Sequence, residues 1–64
     1  MTPAQFRSIR ERAGLTLEAL AKILRLSDKK TVHRYETGER AISGPVQILM
    51  ELLDAGELPE RFRG

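Results

Sequence analysis

The sequence has no cysteine, no tryptophan, a single histidine and only three aromatic residues in 64 positions. Without cysteine there is neither a disulfide framework nor a thiolate metal site to staple the fold. One histidine cannot build a metal centre without several convergent carboxylates, and no such grouping is spaced along the chain. No apolar run approaches the roughly 18 residues of a membrane span, and the N-terminus has no signal-peptide pattern. The expectation is therefore a cytoplasmic protein with no membrane contact. A glycine-rich phosphate loop is also missing, and so small a chain leaves little room for a pocket. Together these shortages argue against an enzyme, a cofactor or a small-molecule ligand.

What is present is charge and helix signal. A chain this short buries only about 60% of the surface its unfolded form exposes, so its core must be used efficiently. No repeat, linker or low-complexity stretch divides it, and residues 1–64 read as one domain. The net charge is only +2, but up to Arg40 there are nine Lys/Arg against five Asp/Glu, and beyond it two against four. A basic N-terminal part joined to an acidic C-terminal part suggests one polyanion-facing surface and a second, separate one.

Thr2-Pro3-Ala4-Gln5 reads as a capping box, with Thr2 at the N-cap, Pro3 at the first helical position and Gln5 at the third. Phe6, Ile9, Arg10 and Ala13 then share one helix face, and Gly14 supplies a left-handed stop. Thr16 caps a second helix with Glu18 in its first turn and a predicted buried stripe of Leu17, Leu20, Ala21 and Leu24. Arg25-Leu26-Ser27-Asp28 breaks the pattern. Leu26 is expected to plug the core, and either Ser27 or Asp28 to cap the next helix.

In that third helix Val32 and Tyr35 give a narrow apolar side, while Lys29, Lys30, His33 and Arg34 occupy the other sides, and Gly38 ends it. Ser43-Gly44-Pro45 opens a fourth, with a predicted core stripe of Val46, Leu49, Met50 and Leu53, stopping near Ala55. Ile48 and Leu52 fall on a different face. Either the tail carrying Leu58 and Phe62 folds over them, or a second subunit does. Glu51, Asp54, Glu57 and Glu60, three apart, look like a solvated face rather than a catalytic pair. The predicted fold class is all-α: a bundle of four to five short helices.

The segment Ile9-Arg10-Glu11-Arg12-Ala13-Gly14-Leu15-Thr16, then Leu20-Ala21-Lys22-Ile23-Leu24, then Thr31-Val32-His33-Arg34-Tyr35-Glu36-Thr37-Gly38-Glu39-Arg40, resembles the helix-turn-helix family of lambda repressor, Cro and the xenobiotic-response-element group. The resemblance implies a positioning helix over residues 17–24 and a recognition helix over about 29–37, which enters the major groove of double-stranded DNA. Carried over residue by residue, it implies base contacts from Lys29, Lys30, His33 and Arg34. Phosphate contacts fall to Thr16, the backbone of Leu17, Thr31, Arg40 and Ser43. Arg10 and Glu36 match a pair that ties the first helix to the third in relatives.

The residues themselves agree. The four base-facing candidates lie away from Val32 and Tyr35, and the planar fork of Arg34 suits guanine O6 and N7. Tyr35 at its spacing from Val32 reads as core rather than as a stacking platform. Two departures stand out. Leu17 replaces the phosphate-holding glutamine usual in the family, and the turn before the third helix is one residue longer, with Arg25 where glycine is usual. The extra residue would tilt the recognition helix or shift its start.

One recognition helix reads few base pairs, so the expectation is a homodimer, with Ile48, Leu52, Leu58 and Phe62 at its interface. Such a dimer would repress transcription from an inverted-repeat operator within the nucleoid. The rival reading is a protein-interaction module on the same scaffold, such as an antitoxin or adaptor.

Overall fold

The computed structural model describes residues 1–62, so the last two residues of the expected 1–64 domain lie outside the described residues. Among the described residues the chain forms α1 (Pro3–Arg12), α2 (Leu17–Ile23), α3 (Lys29–Thr37), α4 (Gly44–Asp54) and a 3₁₀ turn over Glu60–Phe62, with no strand. The all-α class and the helix-turn-helix architecture expected from the sequence are both present. None of these helices is long and apolar enough to cross a membrane.

The start of α1 follows from its first residues. Thr2 Oγ1 accepts the Gln5 N–H at 3.1 Å, and Gln5 Oε1 accepts the Thr2 N–H at 2.8 Å. Both halves of the capping box are thus made, and two otherwise orphaned donors are satisfied. Thr16 caps α2 by accepting the Ala19 N–H at 3.0 Å. Of the two candidates before α3, it is Asp28 that caps, accepting the Lys30 N–H at 2.9 Å.

Packing follows the helical periodicity with three adjustments. Phe6, Leu20, Val32 and Met50 are fully buried and form the centre where the four helices meet. In α2, Ile23 is buried while Leu17, expected in the stripe, is only half-buried at the first turn. In α4, Leu49 is likewise half-buried, and Val46, Met50 and Leu53 carry the core.

The third adjustment concerns the tail, whose Leu58 and Phe62 were expected at a dimer face. Leu58 is 6% exposed and belongs to this chain's own core. Phe62 packs against the same core and lines a cleft with Leu15, Ala19 and Ile23 beside α2. A proline at 59 and a glycine at 56 end α4 and turn the chain back, so both apolar tail residues find cover intramolecularly. Ile48 is left 59% exposed, and Leu52 is half-buried against the core.

The turn between α2 and α3 resolves the apparent misfit at Arg25. Arg25 takes φ +60°, the left-handed conformation a glycine would adopt at little cost. The Leu26 N–H then reaches the Ala21 carbonyl at 2.9 Å and the Arg25 N–H reaches the Lys22 carbonyl at 3.2 Å, the paired bonds of a Schellman stop. The helix end is therefore regular despite the unfavourable residue. The remaining length is taken up by Leu26–Asp28, and α3 begins at Lys29 as expected.

Candidate nucleic-acid interface

Helix α3 is fixed from behind and bare in front. Its inner side buries Val32 at 0% and Tyr35 at 4% exposure, and the Tyr35 ring meets Phe6 at 5.5 Å between centroids with a 52° tilt. Tyr35 is accordingly a core residue. At 100° per residue, Lys30, Arg34 and Thr37 line up along one side and Lys29 and His33 along its neighbour. All five of these side chains are exposed. Thr31 is half-buried, between the line of Arg34 and the buried side carrying Tyr35.

Arg10 sets the position of this helix. Its Nε donates to Glu36 Oε2 at 2.6 Å, a second nitrogen donates to Glu36 Oε1 at 3.2 Å, and the third donates to the Leu15 carbonyl at 2.9 Å. One guanidinium therefore joins α1, α3 and the loop that leads into Thr16. The side chains are 14% and 5% exposed, so the pair is largely out of water. The hydrogen bond to Glu36 raises the Arg10 pKa above its ordinary value, against the opposing effect of desolvation. A guanidinium is not deprotonated in proteins, so the pair is a full ion pair. Arg7 adds a looser approach to Glu36 at 4.0 Å and pairs with Glu11 at 3.7 Å on the surface. The sequence reading anticipated the Arg10–Glu36 pair, but not the Leu15 carbonyl as its third partner.

The expected phosphate contacts lie on three elements. Thr16, at the start of α2, is exposed; its hydroxyl oxygen accepts from Ala19 and its proton remains free to donate. Leu17 presents only its backbone there, as its side chain packs inward. Arg40 is exposed in the loop after α3, and its N–H bonds the Arg34 carbonyl at 3.2 Å, which folds the loop against the helix end. Gln47 Nε2 donates to the Ile42 carbonyl at 3.0 Å and fixes the other end of that loop. Ser43 occupies the N-cap of α4 yet makes no side-chain cap bond, so its hydroxyl is uncommitted.

Glu39 was not among the sequence candidates. It is exposed in the same loop, with Oε2 4.0 Å from Arg34 Nε. A second acid after Arg34, five residues on and next to Arg40, was the signal that could have found it. Asp54, read from its spacing as part of a solvated acidic face, holds Arg12 at 2.8 Å across α1 and α4. Both partners are largely exposed, and such pairs are worth at most about 1 kcal/mol.

No curated protein and no solved structure matches the chain. The family model described as a helix-turn-helix domain matches residues 4–61, from the start of α1 to the final turn. That span includes the α2–turn–α3 unit, the Arg10–Glu36 clamp and the loop to α4, and on it the chain belongs to the helix-turn-helix domain family of DNA-binding domains.

Proposed function

We propose that this chain is a sequence-specific transcriptional regulator that lays α3 in the major groove and reads bases with Arg34, His33, Lys30 and Lys29. The observation that carries the reading is the two-sidedness of α3. Val32 and Tyr35 are buried behind it while every charged residue of its outward face is exposed. Lysines at a helix N-terminus oppose the macrodipole, so Lys29 and Lys30 do not serve helix stability. The phosphates are held by Thr16, the Leu17 backbone, Thr31, Arg40 and the uncommitted hydroxyl of Ser43.

A homodimer on an inverted repeat completes this reading, acting as a repressor by occluding the promoter. Each base pair read contributes only about 1–3 kcal/mol of discrimination, and one short helix reaches few of them. Pairing two copies places the recognition helices about 34 Å apart, one turn of DNA. Ile48, exposed on α4 beside half-buried Leu52, supports α4 as the paired face. Selection from a random duplex pool tests the proposal: it predicts enrichment of a palindromic site whose affinity falls steeply with salt. A pool that enriches nothing would overturn the operator reading in favour of a protein-interaction module on the same scaffold.

A further inference from the structure

Resting on the reading of Arg40 and Ser43 as phosphate contacts, we propose that Gln47 is a positioning residue for DNA binding. It fixes the far end of the loop that carries those two residues, and so sets where they stand relative to α3.

Gln47 lies half-buried in the first turn of α4, and both ends of its amide are used. Nε2 donates to the Ile42 carbonyl at 3.0 Å, and Oε1 accepts from the Met1 ammonium at 3.1 Å. The first of these bonds holds the residue directly before Ser43. Met1 in turn packs against the core, and Pro3 Cγ stands 3.4 Å from the position a Cβ on Gly38 would occupy. Residues 1–3 therefore brace the loop at both ends, Gly38 through Pro3 and Ile42 through Gln47. Among the described residues, the backbone of residues 40–42 has two hydrogen bonds to the rest of the chain. They are Arg40 N–H to the Arg34 carbonyl and Gln47 to the Ile42 carbonyl. Arg40, Ala41 and Ser43 are exposed, so only Ile42 adds side-chain packing.

Ordering a loop on binding costs entropy, so a contact made from a loop already in place keeps more of its value. With its backbone held from Arg34 and from Gln47, the loop presents the Arg40 side chain and the Ser43 hydroxyl from fixed starting points. Phosphate contacts set the register of a protein on the duplex and carry no sequence information. Loss of the brace should therefore weaken every duplex alike and leave the preference set by α3 intact. A role in helix stability alone would be indifferent to the presence of Arg40 and Ser43.

The test is Gln47→Met, which keeps the length of the side chain and removes both hydrogen bonds. Fluorescence anisotropy is read on the duplex enriched from the random pool and on a scrambled duplex of equal composition, at a temperature where circular dichroism shows each variant folded. The expected result is weakening of both duplexes by the same factor, roughly fivefold, with a shallower salt dependence. In an Arg40→Ala, Ser43→Ala background the same substitution should change affinity by less than about twofold. Unchanged affinity for Gln47→Met, or an equal loss in both backgrounds, overturns the role of Gln47. Should Gln47→Met not fold, Gln47→Glu gives the same comparison. Its carboxylate keeps the Met1 bond but cannot donate to Ile42, and the difference between backgrounds cancels the added charge. If the Arg40→Ala, Ser43→Ala chain itself binds with native affinity and salt dependence, the phosphate reading fails and this inference with it.

Discussion

Replacing Glu36 by alanine removes the acceptor of two Arg10 hydrogen bonds and leaves a guanidinium only 14% exposed without its carboxylate. Breaking a buried ion pair on one side costs about 3–5 kcal/mol, whereas an exposed pair is worth at most about 1. Arg10 keeps its bond to the Leu15 carbonyl and a narrow route to water, which puts the expected loss near the lower bound, about 3 kcal/mol. A domain of 64 residues has on the order of 3–10 kcal/mol of total stability, so the loss is a large share of it. The midpoint of thermal unfolding should fall by roughly 12–24 °C. Urea and thermal unfolding followed by far-UV circular dichroism measure both quantities. The informative comparison is Arg10→Met combined with Glu36→Leu, which buries no charge and should recover most of the loss. Recovery should stay incomplete, because the Leu15 carbonyl loses its donor. A loss below about 1 kcal/mol for Glu36→Ala, or a double variant no better than the single one, would refute the view that desolvation makes this pair expensive to break.

Two further substitutions probe separate parts of the fold. Arg25→Gly should stabilise the protein by about 0.5 kcal/mol, since relief of left-handed strain outweighs the added freedom of the unfolded chain. Arg25→Val should instead cost more than about 1 kcal/mol, because β-branched residues tolerate positive φ least; urea titration of the two variants decides, and a destabilised glycine variant contradicts the left-handed turn. Ile48→Glu should change stability by no more than about 0.5 kcal/mol, as an exposed position would, while converting a dimer to a monomer in sedimentation. Unchanged mass at micromolar concentration removes that face from the interface. Leu52→Glu is a poorer probe, since Leu52 also packs on the core.

Much of the fold was legible because its helix ends are written in short-range chemistry. Thr2 with Gln5, Thr16, Gly14 and Gly38 each act within a few residues of themselves, and all mark boundaries in the structure. Periodicity identified Val32 and Tyr35 as the hidden side of α3 and hence its exposed side. It failed where helices are short or absent. Over the seven residues of α2, a period of 3.6 leaves the centre of the buried face loose, and Ile23 was passed over for Leu17. Past Gly56 there is no period to follow, and the return of Leu58 into the core is a tertiary event. The Arg10–Glu36 pair spans 26 residues, and only the family resemblance pointed to it. Arg25 is the reverse case: the position of the turn was readable, while the residue argued against the conformation it adopts. Ser43 stands at the N-cap of α4 without a side-chain cap bond, which no local rule would reveal.

The central claim is that the outward face of α3, led by Arg34, reads base sequence. Random-duplex selection performed in parallel on the native chain, Arg34→Ala and Arg40→Ala tests it most directly. The account predicts that Arg34→Ala loses preference at a defined base pair in each half-site, each such contact being worth about 1–3 kcal/mol of discrimination. Arg40→Ala should weaken all duplexes about equally and reduce the salt dependence by roughly one phosphate contact. If Arg34→Ala enriches the same site as the native chain with undiminished preference at every position, α3 is not read through Arg34 and the account is contradicted.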